Sequence, residues 1–241
     1  PKVRRRSARS VEVLFSATVG RPEVNARTDS LVLWAGRLEG TEWRQVNRVA
    51  QFPPRSLDHR QIVGDGVMYR EELNAAVLEI ASSSAPTRAA IVRGGGSQWR
   101  VEYPFPASSS VSYLDLAVYR DTLWLAAVAH VDDADGAAST FGIWLSFRGE
   151  SAWSPPQLVV LAAQQSVREP RLLARPEELV LAWIASTDAD SRLRWRSVGT
   201  THLGTVNERP ISTYLTRGAE RFSDLVSTAV DDSIALILEL T

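Results

Sequence analysis

The candidates for chemistry in this sequence are carboxylates, arginines, histidines and a tyrosine, since the chain contains no cysteine for a disulfide or a thiolate metal site. Two short acidic stretches are the first candidates. Asp132-Asp133-Ala134-Asp135-Gly136 and Asp188-Ala189-Asp190 place hard oxygen ligands in turn-forming sequence, the donor type a calcium ion takes. The spacing is not that of an EF-hand loop, and short Asp-rich turns also serve simply as solvated loops. The metal candidates are therefore Asp132, Asp133 and Asp135, with calcium the only cofactor they suit. A second group combines arginine with acids and one phenol: Asp58, His59 and Arg60, then Tyr113, Arg168 and Glu169, then Glu220 and Arg221. Arginine's planar fork can grip a carboxylate or sugar hydroxyls in bidentate fashion. The same residues could equally pair with one another. His59 and His130 are of the type that titrates near neutrality, and His202 carries no signal. Gly94-Gly95-Gly96 is not a phosphate loop, since no Lys-Ser/Thr follows it and no helix is expected there.

Composition narrows the partners. A formal net charge of -1 gives no electrostatic case for nucleic acid. Lys2 is the one lysine, and the arginines are scattered rather than gathered into a phosphate-binding face. No apolar run approaches the roughly 20 residues of a membrane helix, so membrane insertion is not expected. The chain opens on Pro1 rather than Met, as a processed, trimmed or excised chain would, and residues 1–10 read as a solvated lead-in or linker.

The elements that must position these residues are strands. Apolar residues alternate with period two throughout, as in half-buried strands, and Gly-, Pro- and Ser-rich breaks come too often for helices. The stretch at 140–160 sets the pattern: alternating Phe141, Ile143, Leu145 and Phe147, the turn residues Arg148-Gly149-Glu150-Ser151, then Trp153 opening a second strand in which Pro155-Pro156 marks an edge. The same strand, Gly turn, Trp and strand recur at Gly40-Thr41-Glu42-Trp43 and Gly96-Ser97-Gln98-Trp99, with the tryptophans roughly 55 residues apart, a period typical of β-propeller blades. A fourth copy at Gly199-Thr200-Thr201 lacks the Trp. The expected fold is all-β: a propeller of four-stranded antiparallel blades with about five blades visible, at 11–50, 58–104, 113–162, 169–210 and a partial blade at 222–241. A sandwich of similar strands is the competing fold. The first blade would lack its first strand and the last its second half. That predicts either an unusual ring closure or a longer propeller completed by further chain or a neighbouring subunit.

The Gly-x-x-Trp hairpins resemble the Asp-box, or BNR, hairpins of the sialidase superfamily, whose motif is Ser-x-Asp-x-Gly-x-x-Trp. The Asp is absent here; Leu38 and Gly94 stand in its place, and Gly149 to Trp153 carries one extra residue. Arg168-Glu169-Pro170-Arg171-Leu172-Leu173 also resembles the opening of a sialidase-type blade. The resemblance implies a six-bladed ring, with Trp43, Trp99 and Trp153 as structural wedges between sheets rather than sugar platforms. It implies a ligand face opposite the Asp-box turns. The inter-strand loops 20–29, 82–86, 131–139 and 186–191 would lie there, together with the inter-blade loops 53–60, 107–113, 164–170 and 216–221. That would bring Asp58, His59, Arg60, Tyr113, Arg168, Glu169, Glu220 and Arg221 toward the mouth of a central channel. There they would form either a polar ligand site or a set of ion pairs lining solvent.

Sialidase-type catalysis would need an arginine triad, a Tyr nucleophile assisted by Glu, and an Asp acid/base. Tyr113 and Glu169 could be cast in two of these roles. The family's Phe/Tyr-Arg-Ile-Pro opening is absent, and the second strands, where triad arginines stand, end in Val19, Ala81, His130, Ala185 and Leu240. The expectation is therefore a non-catalytic, sialidase-like propeller that binds a glycan or protein partner through one face. It would belong to a secreted bacterial protein, outside the cell or in its envelope. One alternative is a sialidase-type glycoside hydrolase with part of its active site outside this chain. The other is a structural subunit of a larger assembly.

Overall fold

A computed structural model describes residues 2–7, 10–19, 30–39, 42–52, 63–80, 86–95, 98–132, 138–187, 190–200, 202–210, 222–230 and 233–240. Among these residues every regular element is a β-strand, and no helix is long and apolar enough to cross a membrane. The chain divides into two compact units, Pro1–Ser109 and Ser110–Thr241.

The first unit holds two four-stranded antiparallel sheets in simple sequential order. One comprises β1 (Lys2–Ser7), β2 (Ser10–Val19), β3 (Ser30–Glu39) and β4 (Glu42–Phe52). The other comprises β5 (Val63–Tyr69), β6 (Glu72–Ile80), β7 (Thr87–Gly95) and β8 (Gln98–Glu102). The charged run Lys2–Ser7, expected as a solvated lead-in, is instead a strand hydrogen-bonded along β2, and it supplies the first strand that the first sheet was expected to lack. Backbone pairing does not require apolar side chains, and charges are common on strands at a sheet edge. The basic run simply hides the alternation that makes other strands visible.

The second unit holds two more four-stranded sheets and a two-stranded one. Strands β9 (Ser110–Tyr119), β10 (Thr122–Asp132), β11 (Ser139–Arg148) and β12 (Gln157–Leu161) form one; β13 (Ser166–Ala174), β14 (Leu179–Ser186), β15 (Ser191–Val198) and β16 (Asn207–Pro210) form the next; β17 (Phe222–Val230) pairs with β18 (Ser233–Leu240). First strands of successive sheets are neighbours, β9 beside β13 and β13 beside β17.

The core lies between these sheets. Trp124, Ala126 and Val128 of β10 and Ile143 and Leu145 of β11 pack against Leu179, Leu181, Trp183 and Ala185 of β14. The intervening residues Val180 and Ala182 pack on the opposite side with Leu173 and Trp195. β14 is therefore buried on both faces, which explains its unbroken apolar sequence LVLAWIA. Burial then falls off toward the fourth strand, and β16 is exposed throughout.

The turns repeat as faithfully as the strands. Between the first and second strands, Tyr69-Arg70-Glu71 and Tyr119-Arg120-Asp121 make two-residue hairpins. Their central residues have positive φ, 48° and 64° in one and 47° and 51° in the other, as a hairpin matched to strand twist requires. Each arginine stacks on its tyrosine, at 5.0 and 5.1 Å. Tyr119 Oη also donates to the Glu177 carbonyl at 2.7 Å, tying its sheet to the next.

Between the third and fourth strands, Gly149 N–H donates to the Ala152 carbonyl and Gly199 N–H to that of His202, both at 2.9 Å. Arg148 bridges to Trp153 and Val198 to Leu203. Gly95 pairs with Gln98 and Gly94 with Trp99; Glu39 pairs with Glu42 and Leu38 with Trp43. The four turns therefore share one spacing, and the extra residue expected at Gly149 to Trp153 does not exist. The equivalent turn positions are Glu39, Gly95, Gly149 and Gly199, and Leu203 stands where the fourth Trp is missing. Trp153 joins β11 through an isolated bridge, and the fourth strand starts after Pro155-Pro156, at Gln157. Trp99 and Trp153 are half-buried at the turns, and Trp124 and Trp183, 4% and 1% exposed, pack between the sheets. The side chain of Trp43 lies outside the described residues.

Candidate functional site

Of the residues expected at a ligand site, Asp58, His59, Arg60, Glu220 and Arg221 lie outside the described residues, as do Asp133 and Asp135. Asp132, the remaining metal candidate, ends β10 and is half-buried. Among the described residues no group of three or more His, Cys, Asp or Glu could hold a metal ion. Tyr113, Arg168 and Glu169 are described: Tyr113 lies on β9 and the other two on the neighbouring strand β13, near enough for the charges of Glu169 and Arg168 to act on the Tyr113 phenol.

Each of these strands carries a local backbone irregularity at this place. In β9, Val128 pairs with Tyr113 but Ala129 pairs with Val111. Ser112 is therefore a one-residue bulge, and its hydroxyl donates to the Val128 carbonyl at 3.3 Å. In β13, Arg168 pairs with Ile184 and Arg171 with Ala182. Glu169 and Pro170 together thus oppose Trp183 alone. Glu169 adopts φ 51°, a left-handed conformation that costs a non-glycine residue about 1–3 kcal/mol. Pro170 fits such a bulge because it has no N–H to contribute to the ladder. Bulges of this kind re-aim side chains, and these two lie on neighbouring strands, β9 and β13.

Tyr113 packs its ring on the inter-sheet core. Burial pushes its phenol above the ordinary tyrosine range, the Glu169 charge pushes it further, and Arg168 partly offsets both. Arg168 is half-buried, and its Nε has no hydrogen-bond partner among the described residues. Beneath this cluster lies a support that the sequence reading missed. Asp115, two residues from Tyr113 on the same face of β9, is buried. Its Oδ2 accepts the Leu172 N–H at 2.6 Å, and its Oδ1 lies 3.7 Å from Arg171. Arg171 in turn lies 3.6 Å from Glu169. The signal was present: an aspartate inside the apolar strand sequence SVSYLDLAVY has to find a partner once buried.

A second Tyr–Glu–Arg group occurs in the first unit. The Arg88 guanidinium lies 4.0 Å from the centre of the Tyr103 ring. Burial, then the charge of Glu79 and its hydrogen bond, hold this phenol above its ordinary range. Tyr103 is 42% exposed and stands just past the end of β8, an edge position.

In chemical terms the Tyr113 cluster offers a protonated phenol, a guanidinium and a carboxylate on a preset backbone. Those are hydrogen-bonding groups of both signs, suited to a polar ligand that carries hydroxyls and a negative charge.

No protein-family profile and no curated protein matches the sequence. Among solved structures, a complex of BT0996 with RGII aligns with 100% of this chain and 86% of its own, at a TM-score of 0.51 and 6% identity. A structure described as a glycoside hydrolase aligns with 93% of this chain and 89% of its own, at a TM-score of 0.41 and 7% identity. The likeness to the first is one of fold.

Proposed function

We propose that this chain is a non-catalytic, sialidase-like β-propeller that binds an acidic glycan at the Tyr113–Arg168–Glu169 cluster. The observation that supports the reading is that two bulges, at Ser112 and Glu169, lie on adjacent first strands that carry Tyr113, Arg168 and Glu169. Glu169 holds a left-handed φ of 51° inside a strand rather than in a hairpin turn, the kind of backbone cost that recurs at binding sites. The four-stranded antiparallel sheets would be the blades, and the succession of first strands β9, β13 and β17 is the arrangement expected near a propeller axis. The BT0996 structure, whose fold is similar, is a complex with RGII, and a glycan ligand is consistent with that fold's use elsewhere.

Arg168 would grip the sugar carboxylate, Tyr113 would donate to a ring or hydroxyl oxygen, and Glu169 would accept from hydroxyls. The raised phenol of Tyr113 favours a hydrogen-bond donor over a nucleophile, since a nucleophilic role requires activation toward the phenolate. The competing reading is a sialidase-type hydrolase, and the placement of Tyr113 beside Glu169 is what favours it.

Calorimetric titration with methyl β-glucuronide, a methyl sialoside and RGII oligosaccharides tests the proposal. Saturable binding should weaken roughly tenfold to a hundredfold in Arg168→Ala, the loss of one charge-assisted hydrogen bond. Turnover of aryl sialosides that disappears in Tyr113→Phe would replace the binding reading with the hydrolase.

A further inference from the structure

His130 of β10 and Phe141 of β11 are cross-strand partners, and their rings stack at 4.4 Å between centroids with 20° between planes. His130 is exposed, whereas Phe141 is half-buried against the inter-sheet core. The phenyl ring is thus a fixed backing that holds the imidazole flat, with the remaining surface of the imidazole open to solvent. Position relative to the cluster follows from the register. Tyr113, Val128 and Ile143 form one row across the sheet, and His130 and Phe141 occupy the next row on the same face. The two rows are two residues apart along the strands, about 6.7 Å, a separation of the order of one pyranose ring. The row after that holds Asp132 opposite Ser139, so the flat surface is bordered by a carboxylate and a hydroxyl. Ser110, opposite His130 on β9, borders it on another side. A flat ring edged with hydrogen-bonding groups complements a pyranose, which presents C–H groups on its face and hydroxyls around its rim.

We propose that His130 and Phe141 form a stacking subsite for a neutral pyranose, adjoining the charged-sugar position at Arg168. The ligand is then an oligosaccharide in which an acidic sugar is joined to a neutral one. This deepens, and rests on, the reading that the Tyr113–Arg168–Glu169 cluster binds a charged sugar.

A matched set of probes separates the two claims: methyl β-glucuronide, cellobiose, and cellobiouronic acid, which joins the two. Binding is followed by saturation-transfer and chemical-shift NMR. In the wild-type chain, cellobiouronic acid should bind about three- to tenfold more tightly than methyl β-glucuronide, the gain expected of one stacked ring. Cellobiose alone should perturb His130 and Phe141. His130→Ala should erase both effects and leave methyl β-glucuronide affinity unchanged, while His130→Phe, which keeps a flat ring, should retain them. Circular dichroism of both variants establishes that the fold is intact. The subsite is overturned if cellobiose leaves His130 and Phe141 unperturbed, or if His130→Ala leaves the advantage of cellobiouronic acid intact. If methyl β-glucuronide fails to bind while cellobiose perturbs Phe141 and does so no longer in His130→Ala, the subsite stands and the charged-sugar reading falls.

Discussion

Replacing Asp115 offers the sharpest test of how the second unit is held together. The side chain is 5% exposed and joins two sheets, accepting the Leu172 N–H at 2.6 Å and facing Arg171 at 3.7 Å. In Asp115→Ala the Leu172 N–H, itself buried, loses its acceptor, which costs about 1–3 kcal/mol. Arg171 loses one carboxylate while Glu169 remains, at 3.6 Å, so the ionic loss is partial and adds roughly 1 kcal/mol. The sum is about 3 kcal/mol, and for a chain of this size it lowers the melting temperature by about 6–12 °C. Asp115→Asn keeps an acceptor for Leu172 and forfeits only the charge, so it should lose about 1 kcal/mol and melt between the two. Tryptophan fluorescence reads the transition directly, because Trp124 and Trp183 lie in the adjoining core. The reasoning is refuted if Asp115→Ala melts within about 2 °C of the wild type, or if Asp115→Asn melts as low as Asp115→Ala.

Other outcomes follow from the same contacts. Trp183→Ala empties the largest fully buried position between the sheets and should cost about 3–5 kcal/mol, read by urea denaturation. Arg196 donates to the Gly204 carbonyl of its own sheet at 2.9 Å and to the Val159 carbonyl of the neighbouring sheet at 3.0 Å. Arg196→Ala should therefore destabilise by about 1–3 kcal/mol, while Arg196→Lys, without the planar fork, should recover only part of that. A Cβ on Gly142 would collide with the Val160 carbonyl and stand 2.7 Å from Leu158 Cδ1. Gly142→Ala should therefore free β12 from β11, seen as accelerated amide exchange over residues 157–161. Ultraviolet titration should find Tyr113 ionising above the ordinary tyrosine range, moving down in Glu169→Gln and further up in Arg168→Ala. Because the folded state holds this proton more tightly than the unfolded one, the contribution of Tyr113 to stability is constant below the unfolded tyrosine value of about 10 and is lost as pH rises from there through the folded value.

Much of this architecture was legible because strands with one or two buried faces leave a period-two record. Thr122 and Ser233 mark the starts of β10 and β18 as the alternation indicates, and LVLAWIA announces a strand buried on both sides. Lys2–Ser7 was hidden because its pairing is carried by backbone groups, on which a run of arginines is silent. The turn register was misread because the sequence was aligned on glycine, whereas the turn is closed by backbone pairing. That pairing accepts Glu39 where the other copies have Gly95, Gly149 and Gly199. The paired Tyr-Arg turns at 69 and 119 repeat in the sequence but contain neither Gly nor Pro, the strongest turn signals.

At the site, the resemblance puts Tyr113, Arg168 and Glu169 in inter-blade loops, whereas all three stand near the starts of strands β9 and β13. Asp115 and Arg171 were missed because both lie within strands, among residues whose alternation reads as core. The His130–Phe141 pair could not be seen, because residues eleven apart meet only through the β10–β11 register.

The central claim, an acidic-glycan site built on Arg168, Tyr113 and Glu169, is tested most directly by calorimetric titration of wild-type and Arg168→Ala protein with uronate- and sialate-bearing oligosaccharides. The account predicts saturable binding to at least one of them without bond cleavage, weakened tenfold or more in the variant. Absence of binding across both series, or an affinity indifferent to Arg168→Ala, would contradict it.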